Sequence, residues 1–199
     1  MGLVQVERLQ REYDVTVDWA PFLLNPDTPP EGSPARYRRG ADDPPSPVEE
    51  RAAREGIRFA RGRERTSYSR LALEAVAFGD EADLDALALH RSLFRAYFEE
   101  LADLGDPEVV VQAAARAGAD PDALRAALAE RRHRAQVERG IEASRRLGVT
   151  GIPTFVFDGR FALVGAHEYP VFQAMMERLG RPPPAGFDGE RVELTFPGE

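Results

Sequence analysis

The chain has 199 residues, enough to bury one good core, so a single domain with at most an insertion is expected. A hydrophobic share of 43% beside 30% charged residues excludes a disordered, collagen-like or membrane-embedded chain, and a formal net charge of -8 opposes the counterion release that drives nucleic-acid binding. Cysteine and lysine are both absent, which removes thiolate nucleophiles, disulfides, thiolate metal sites, a P-loop lysine and Schiff-base lysines from these residues.

The opening MGLVQVERLQREYD lacks the charged-then-apolar layout of a signal peptide. No apolar run approaches the roughly 20 residues needed to cross a bilayer, so the reading is a cytoplasmic protein without a membrane partner. Leu3, Val6 and Leu9 recur at helical spacing and predict a helix from Leu3 to Glu12. Val15, Val17 and Trp19, followed by Phe22 and Leu23, predict a strand with Trp19 in the core, stopped at Asn25-Pro26.

Residues 25–45 are rich in Pro, Gly, Asp and Arg and predict a long surface loop. Ser46, Pro47 and Glu49 form a capping box with proline at the first helical position, so a helix runs to about Glu55 and Gly56 closes it. Arg58, Arg61, Arg63 and Arg65 make the one basic cluster, read as a solvated face that pairs with local Glu; the other reading is a patch for an anionic ligand.

Residues 67–148 are helical nearly throughout. Leu93, Phe94, Tyr97, Phe98 and Leu101 share a face at the 3.6-residue period and are assigned to a core. Asp106-Pro107 and Asp120-Pro121 each supply a cap followed by proline; the second helix is read as long, ending near Gly148. The period then changes to two: Thr154 to Phe157, a turn at Asp158-Gly159, and Phe161 to Val164 predict a hairpin. A last helix from Glu168 to Leu179 carries Val171, Phe172, Met175, Met176 and Leu179 on one side and ends in the Pro-rich stretch from Arg181 to Ala185. The order is that of an α/β protein with a helical insertion of about eighty to a hundred residues.

The segment from Gly148 to Gly159, GVTGIPTFVFDG, resembles the G-V-x-G-x-P-x-F-x-x-x-G signature that opens the third core strand of DsbA-like thioredoxin-fold proteins. Trp19 to Asp27 is similar to the second strand and following loop of the FrnE-like branch of that family; Arg65 to Leu73 and His90 to Phe98 resemble its helical insertion, and Val164-Gly165-Ala166 the end of its hairpin. Together these matches span nearly all of residues 2–180.

The resemblance implies an α/β, thioredoxin-like fold with an all-helical insertion: a core from residues 1–45 and 146–180, an insertion over 46–145, and a tail over 181–199. It implies a cis bond before Pro153, where the frequency of X-Pro bonds alone favours trans. Gly151, Ile152 and Pro153 are then the substrate-binding residues, with the Ile152 backbone free to pair with an extended ligand.

The departure from the family lies at the front. Relatives begin with a central strand and a C-P-W-C at the tip of the first helix, where the dipole and backbone donors lower a thiol's pKa. This chain begins inside that helix, at Met1-Gly2-Leu3. A start placed too late, or a truncation, is the expected explanation; the alternating stretch Val192 to Phe196 filling the vacant edge is the other. Without cysteine the residues as written perform no thiol–disulfide exchange, because that reaction passes through a mixed disulfide.

The functional reading is therefore a DsbA-family thiol–disulfide oxidoreductase or isomerase, redox-inactive as written, with thiol- or disulfide-containing peptides or small thiols as partners and no metal or cofactor. The alternatives are a relative of the glutathione-dependent 2-hydroxychromene-2-carboxylate isomerases and kappa-class transferases, or a non-catalytic peptide-binding module. His167, before the last helix, is read as a polar residue at a helix start, with acid/base work as the sharper reading. His90 and His133 lack a second ligand one turn away and are packing or surface residues. Asp27 and Thr28 satisfy loop backbone, and Ser67, Ser69 and Arg70 begin a helix that the resemblance sets beside the site.

Overall fold

The computed structural model describes residues 1–36, 40 and 42–181. The strand expected at Val192–Phe196 and the Pro-rich stretch after Arg181 lie outside the described residues. The chain divides into two compact units, one built from Met1–Trp19 and the chain from Val149 onward, the other from Ala20–Gly148. None of the described helices is long and apolar enough to cross a membrane.

The first unit contains helix α1 (Gly2–Glu12), a hairpin of β3 (Thr154–Phe157) and β4 (Phe161–Val164), and helix α8 (Tyr169–Arg178). The hairpin is antiparallel, with Thr154 opposite Val164 and Phe157 opposite Phe161. Asp158 and Gly159 both take positive φ, 49° and 65°, and the Arg160 amide donates to the Phe157 carbonyl at 2.9 Å, the arrangement an Asp-Gly turn favours. Alternation then sends Phe155 and Phe157 to one face, where their rings meet Phe172 of α8 at 4.7 and 6.2 Å. Leu9 and Tyr13 join Tyr169, Phe172 and Met176 in the same cluster. At its rim the Tyr169 hydroxyl donates to Glu12 at 2.8 Å, while Arg8 both pairs with Glu12 and lies 3.8 Å from the centre of the Tyr169 ring.

The second unit carries β1 (Ser33–Pro34), α2 (Pro47–Arg54), β2 (Arg65–Thr66), α3 (Arg70–Glu81), α4 (Ala86–Phe98), α5 (Pro107–Ala115), α6 (Pro121–Ala129) and α7 (Arg134–Arg146). The helix starts follow the caps. Ser46 and Glu49 exchange both bonds of the capping box, Asp106 accepts from the Glu108 amide, and Asp120 from those of Asp122 and Ala123, each ahead of a proline. Gly56, at φ 72°, follows α2 as its closing residue. Leu71, Ala75, Phe78, Leu89, Leu93, Val110, Val111, Leu124 and Leu128 form the core, and each fully buried leucine such as Leu89 or Leu124 contributes about 2 kcal/mol by leaving water.

Three expectations are corrected. Val15, Val17 and Trp19 keep the alternation of a strand, half-buried against exposed neighbours, yet no described strand pairs with them, so no ladder forms; Trp19 is half-buried rather than core. Leu23 and Pro21 are laid on α7 instead. Gly140 meets Pro21 so closely that a Cβ there would lie 2.5 Å from the ring, Ser144 donates to the Pro21 carbonyl at 3.0 Å, and Leu23 packs with Ala77, Val137 and Ile141.

On α4 the buried stripe is Leu89, Leu93 and Ala96, while Phe94 and Phe98 are 45% and 36% exposed and Leu101 lies beyond the helix at φ 55°. Both stripes have helical spacing. The tight approach of Leu89 to Gly79 leaves no width for a ring on the inner one, so Phe94 and Phe98 stack outside at 6.0 Å, while Tyr97, as expected, packs half-buried on the core and meets Phe98 at 4.9 Å.

The long helix expected from Asp120 to Gly148 is two helices, broken at Glu130–His133. Arg131 there takes a left-handed φ of 53°, and its guanidinium grips Glu74 of α3 with bonds of 2.5 and 3.1 Å. Glu74 is only 2% exposed, so this bidentate pair answers a buried charge and is stronger than a neutral bond. The carboxylate holds the Arg131 guanidinium above its ordinary pKa, against the opposing pull of burial.

Two outcomes follow from these pairs. Arg131→Met strands the Glu74 charge and should cost about 3 kcal/mol in urea unfolding, whereas the double change with Glu74→Leu should recover most of it; equal losses in single and double variants would contradict the pairing. Burial, and then the bond to Glu12, raise the Tyr169 phenol above its ordinary value of 10.0. A raised acid keeps its full contribution below pH 10.0 and loses it as pH climbs beyond, so alkaline unfolding measured by circular dichroism should set in above that value. Tyr169→Phe should cost about 1 kcal/mol at neutral pH and flatten the alkaline fall.

Candidate functional site

The loop between α7 and β3 holds the three residues singled out from the sequence, and each uses its backbone differently. The Gly151 carbonyl accepts from the Thr154 hydroxyl at 2.7 Å. The Pro153 carbonyl accepts from the Gly165 amide at 2.8 Å, and proline has no N–H to give. Ile152 lies between them, 53% exposed, with no described partner for its amide or carbonyl. The Ile152–Pro153 peptide bond is cis.

Helix α1 begins on this loop. A Cβ placed on Gly2 would sit 3.3 Å from the Pro153 Cβ and 3.2 Å from the Phe155 ring, so the first turn of α1 lies against the proline and the start of β3. A helix's first turn presents unpaired amides and the positive end of its dipole, the environment that favours an anion such as a thiolate. Gly151 faces open space, with nothing within 4 Å of where its Cβ would be. The site is thus an exposed backbone step, flanked by a proline, beside a helix start.

The other singled-out residues are engaged in structural work. His167 donates from Nε2 to the Val164 carbonyl at 3.0 Å, which ties the ring to the end of the hairpin. His90 bonds the Ala86 carbonyl through Nδ1, and burial lowers its pKa. His133, 4% exposed, meets Glu81 at 2.7 Å and stands edge-on to Phe78. Among the described residues no group of three or more His, Asp or Glu is placed to hold a metal.

Thr28 bonds the Asn25 carbonyl through both amide and hydroxyl, as the loop reading expects. The hydroxyls ahead of α3 depart from expectation. Ser69 occupies the cap position of α3 without a side-chain bond, and buried Ser67 instead accepts from the Leu104 amide at 3.1 Å; Arg70 pairs with Glu138. The backbone of Ser69 is already helical at φ -81°, ψ -2°, which takes its hydroxyl out of capping position. Sequence reasoning did not find the packing of Gly2 on Pro153; the sole local signal was a glycine where the helical pattern starts.

Comparison with known proteins agrees with this geometry. The family model of the DSBA-like thioredoxin domain matches residues 1–177. An uncharacterized protein of Bacillus subtilis (strain 168), YwbO, is 26% identical over 175 residues, covering 87% of this chain and 86% of its own. The crystal structure of the probable DsbA oxidoreductase SCO1869 from Streptomyces coelicolor superposes with a TM-score of 0.59 at 26% identity. That match covers 74% of this chain and 61% of the Streptomyces chain. With its family signature on the Gly148–Gly159 loop and a family match running from the first helix into the last, this chain belongs to the DSBA-like thioredoxin domain family, an α/β fold with a helical insertion.

Proposed function

We propose that the chain supplies the substrate-binding side of a DsbA-like thiol–disulfide oxidoreductase of the FrnE-like branch, working in the cytoplasm. Gly151, Ile152 and Pro153 take the extended backbone beside the sulfur of a thiol- or disulfide-containing peptide or a small thiol. The observation that carries this reading is exposed Ile152, whose amide and carbonyl have no described partner, next to a proline that lies on the first turn of α1. An N–H and a C=O without an internal partner can pair with a peptide strand, while the flanking Gly151 and Pro153 carbonyls already accept from Thr154 and Gly165.

The redox step needs a thiolate that attacks a disulfide sulfur and leaves through a mixed disulfide. The 199 residues contain no cysteine, so they furnish the binding half of that reaction and the attacking sulfur comes from elsewhere. The same lack of cysteine favours a second reading, a binding module that holds peptides at Ile152 without redox chemistry.

Insulin reduction in dithiothreitol separates the two readings. The 199 residues alone should leave the dithiothreitol rate unchanged, while a polypeptide carrying a strand and a C-P-W-C ahead of Gly2 should raise it severalfold and lose the gain when both cysteines become serine. Acceleration that survives the serine changes would contradict the oxidoreductase. In the 199 residues, a cysteine-containing peptide should shift amide resonances at Gly151–Thr154, and Ile152→Pro, which deletes one donor, should weaken binding about fivefold.

A further inference from the structure

The second unit holds a groove of about 810 Å3 that the preceding reading does not use. Its size falls within the roughly 300–1,000 Å3 of small-molecule sites. One side is apolar: Val48, at the start of α2, is 54% exposed, and Phe59 meets Phe98 edge to face at 5.0 Å, with Phe98 36% exposed. Exposed rings gathered in a concave wall are what an apolar ligand body covers.

The other side is charged, and its charges are unequal in their commitments. Arg61 donates from Nε to Glu49 at 3.0 Å and from Nη1 to the carbonyls of Gly40 and Asp43. Glu49 also accepts from the Ser46 amide at 2.6 Å, the main cause holding its carboxyl down at about 2. Asp43 accepts from the Gly40 amide at 2.8 Å. These groups are neutralised or bonded within the wall. Arg63 differs: its guanidinium is spread on the Tyr97 ring, 3.6 Å from the centre, it has no described carboxylate partner, and its Nη2 is buried without an acceptor. Among the described residues the groove is lined by three arginines, Arg36, Arg61 and Arg63, and two carboxylates, Asp43 and Glu49, one positive charge in excess.

A fixed cation with an unmet donor next to exposed rings specifies a ligand that is singly negative at one end and apolar at the other. We propose that this groove binds a small aryl or alkyl monocarboxylate, its carboxylate on Arg63 and its body against Phe59 and Phe98. The planar guanidinium, pre-set by its stacking on Tyr97, suits a two-oxygen acceptor. Polyanions fit less well, because Arg61 is already answered by Glu49.

The test uses isothermal titration of the 199-residue chain with 3-phenylpropionate and with its neutral counterpart 3-phenylpropanol. The acid should bind one to one and about tenfold more tightly than the alcohol, the factor a charge-assisted bond supplies. Arg63→Gln should erase that difference, Phe98→Ala should weaken both ligands, and Arg58→Gln, whose charge pairs with Glu99 outside the groove lining, should change neither. Equal affinity for acid and alcohol in the unmodified chain, or no saturable binding of the acid, overturns the proposal even if Arg63→Gln fails to fold.

Discussion

Every buried or crowded backbone group needs a partner, and around Pro153 that requirement decides what is left for a ligand. The proline carries no N–H, its carbonyl is held by Gly165, and the Gly151 carbonyl is held by Thr154. Ile152, between them, has no described partner for its amide or its carbonyl. The hairpin behind it is fixed by Phe155 and Phe157 against Phe172, and α1 is fixed by Leu9 and Tyr13 in the same cluster, so the exposed step sits on rigid support.

The helical unit shows the same rule applied to charge. Glu74 on α3 is almost fully buried, and a lone carboxylate there would be very costly; Arg131 answers it by interrupting a helix and taking a left-handed backbone conformation. The local conformation of one loop is thus set by a group 57 residues away. Arg63 is the contrasting case. It is stacked on an aromatic ring with no described carboxylate partner.

Features that depend on near neighbours were legible in the sequence. The Ser46, Asp106 and Asp120 caps and the Asp158-Gly159 turn appear where the residue types place them, because each is satisfied within a few residues. Features decided by distant partners were not. Nothing in Glu130–His133 announces a break that Glu74 imposes, and nothing in Val15–Trp19 tells that no described strand comes alongside. On α4 two stripes share the helical period, and only the close approach of Gly79 to Leu89 decides that Phe94 and Phe98 face outward. The Gly148–Gly159 signature led to the family and to the loop, while the contact of α1's first turn with Pro153 joins residues 151 positions apart and leaves no local mark beyond a glycine.

Amide hydrogen exchange resolved at Ile152 tests the central claim most directly. In the free chain the Ile152 amide should exchange near the rate of an unstructured peptide while the Gly165 amide, bonded to Pro153, is protected; a saturating cysteine-containing peptide should then slow Ile152 markedly. An Ile152 amide already protected without ligand, or one whose rate ignores the peptide while protection appears elsewhere, would contradict the account.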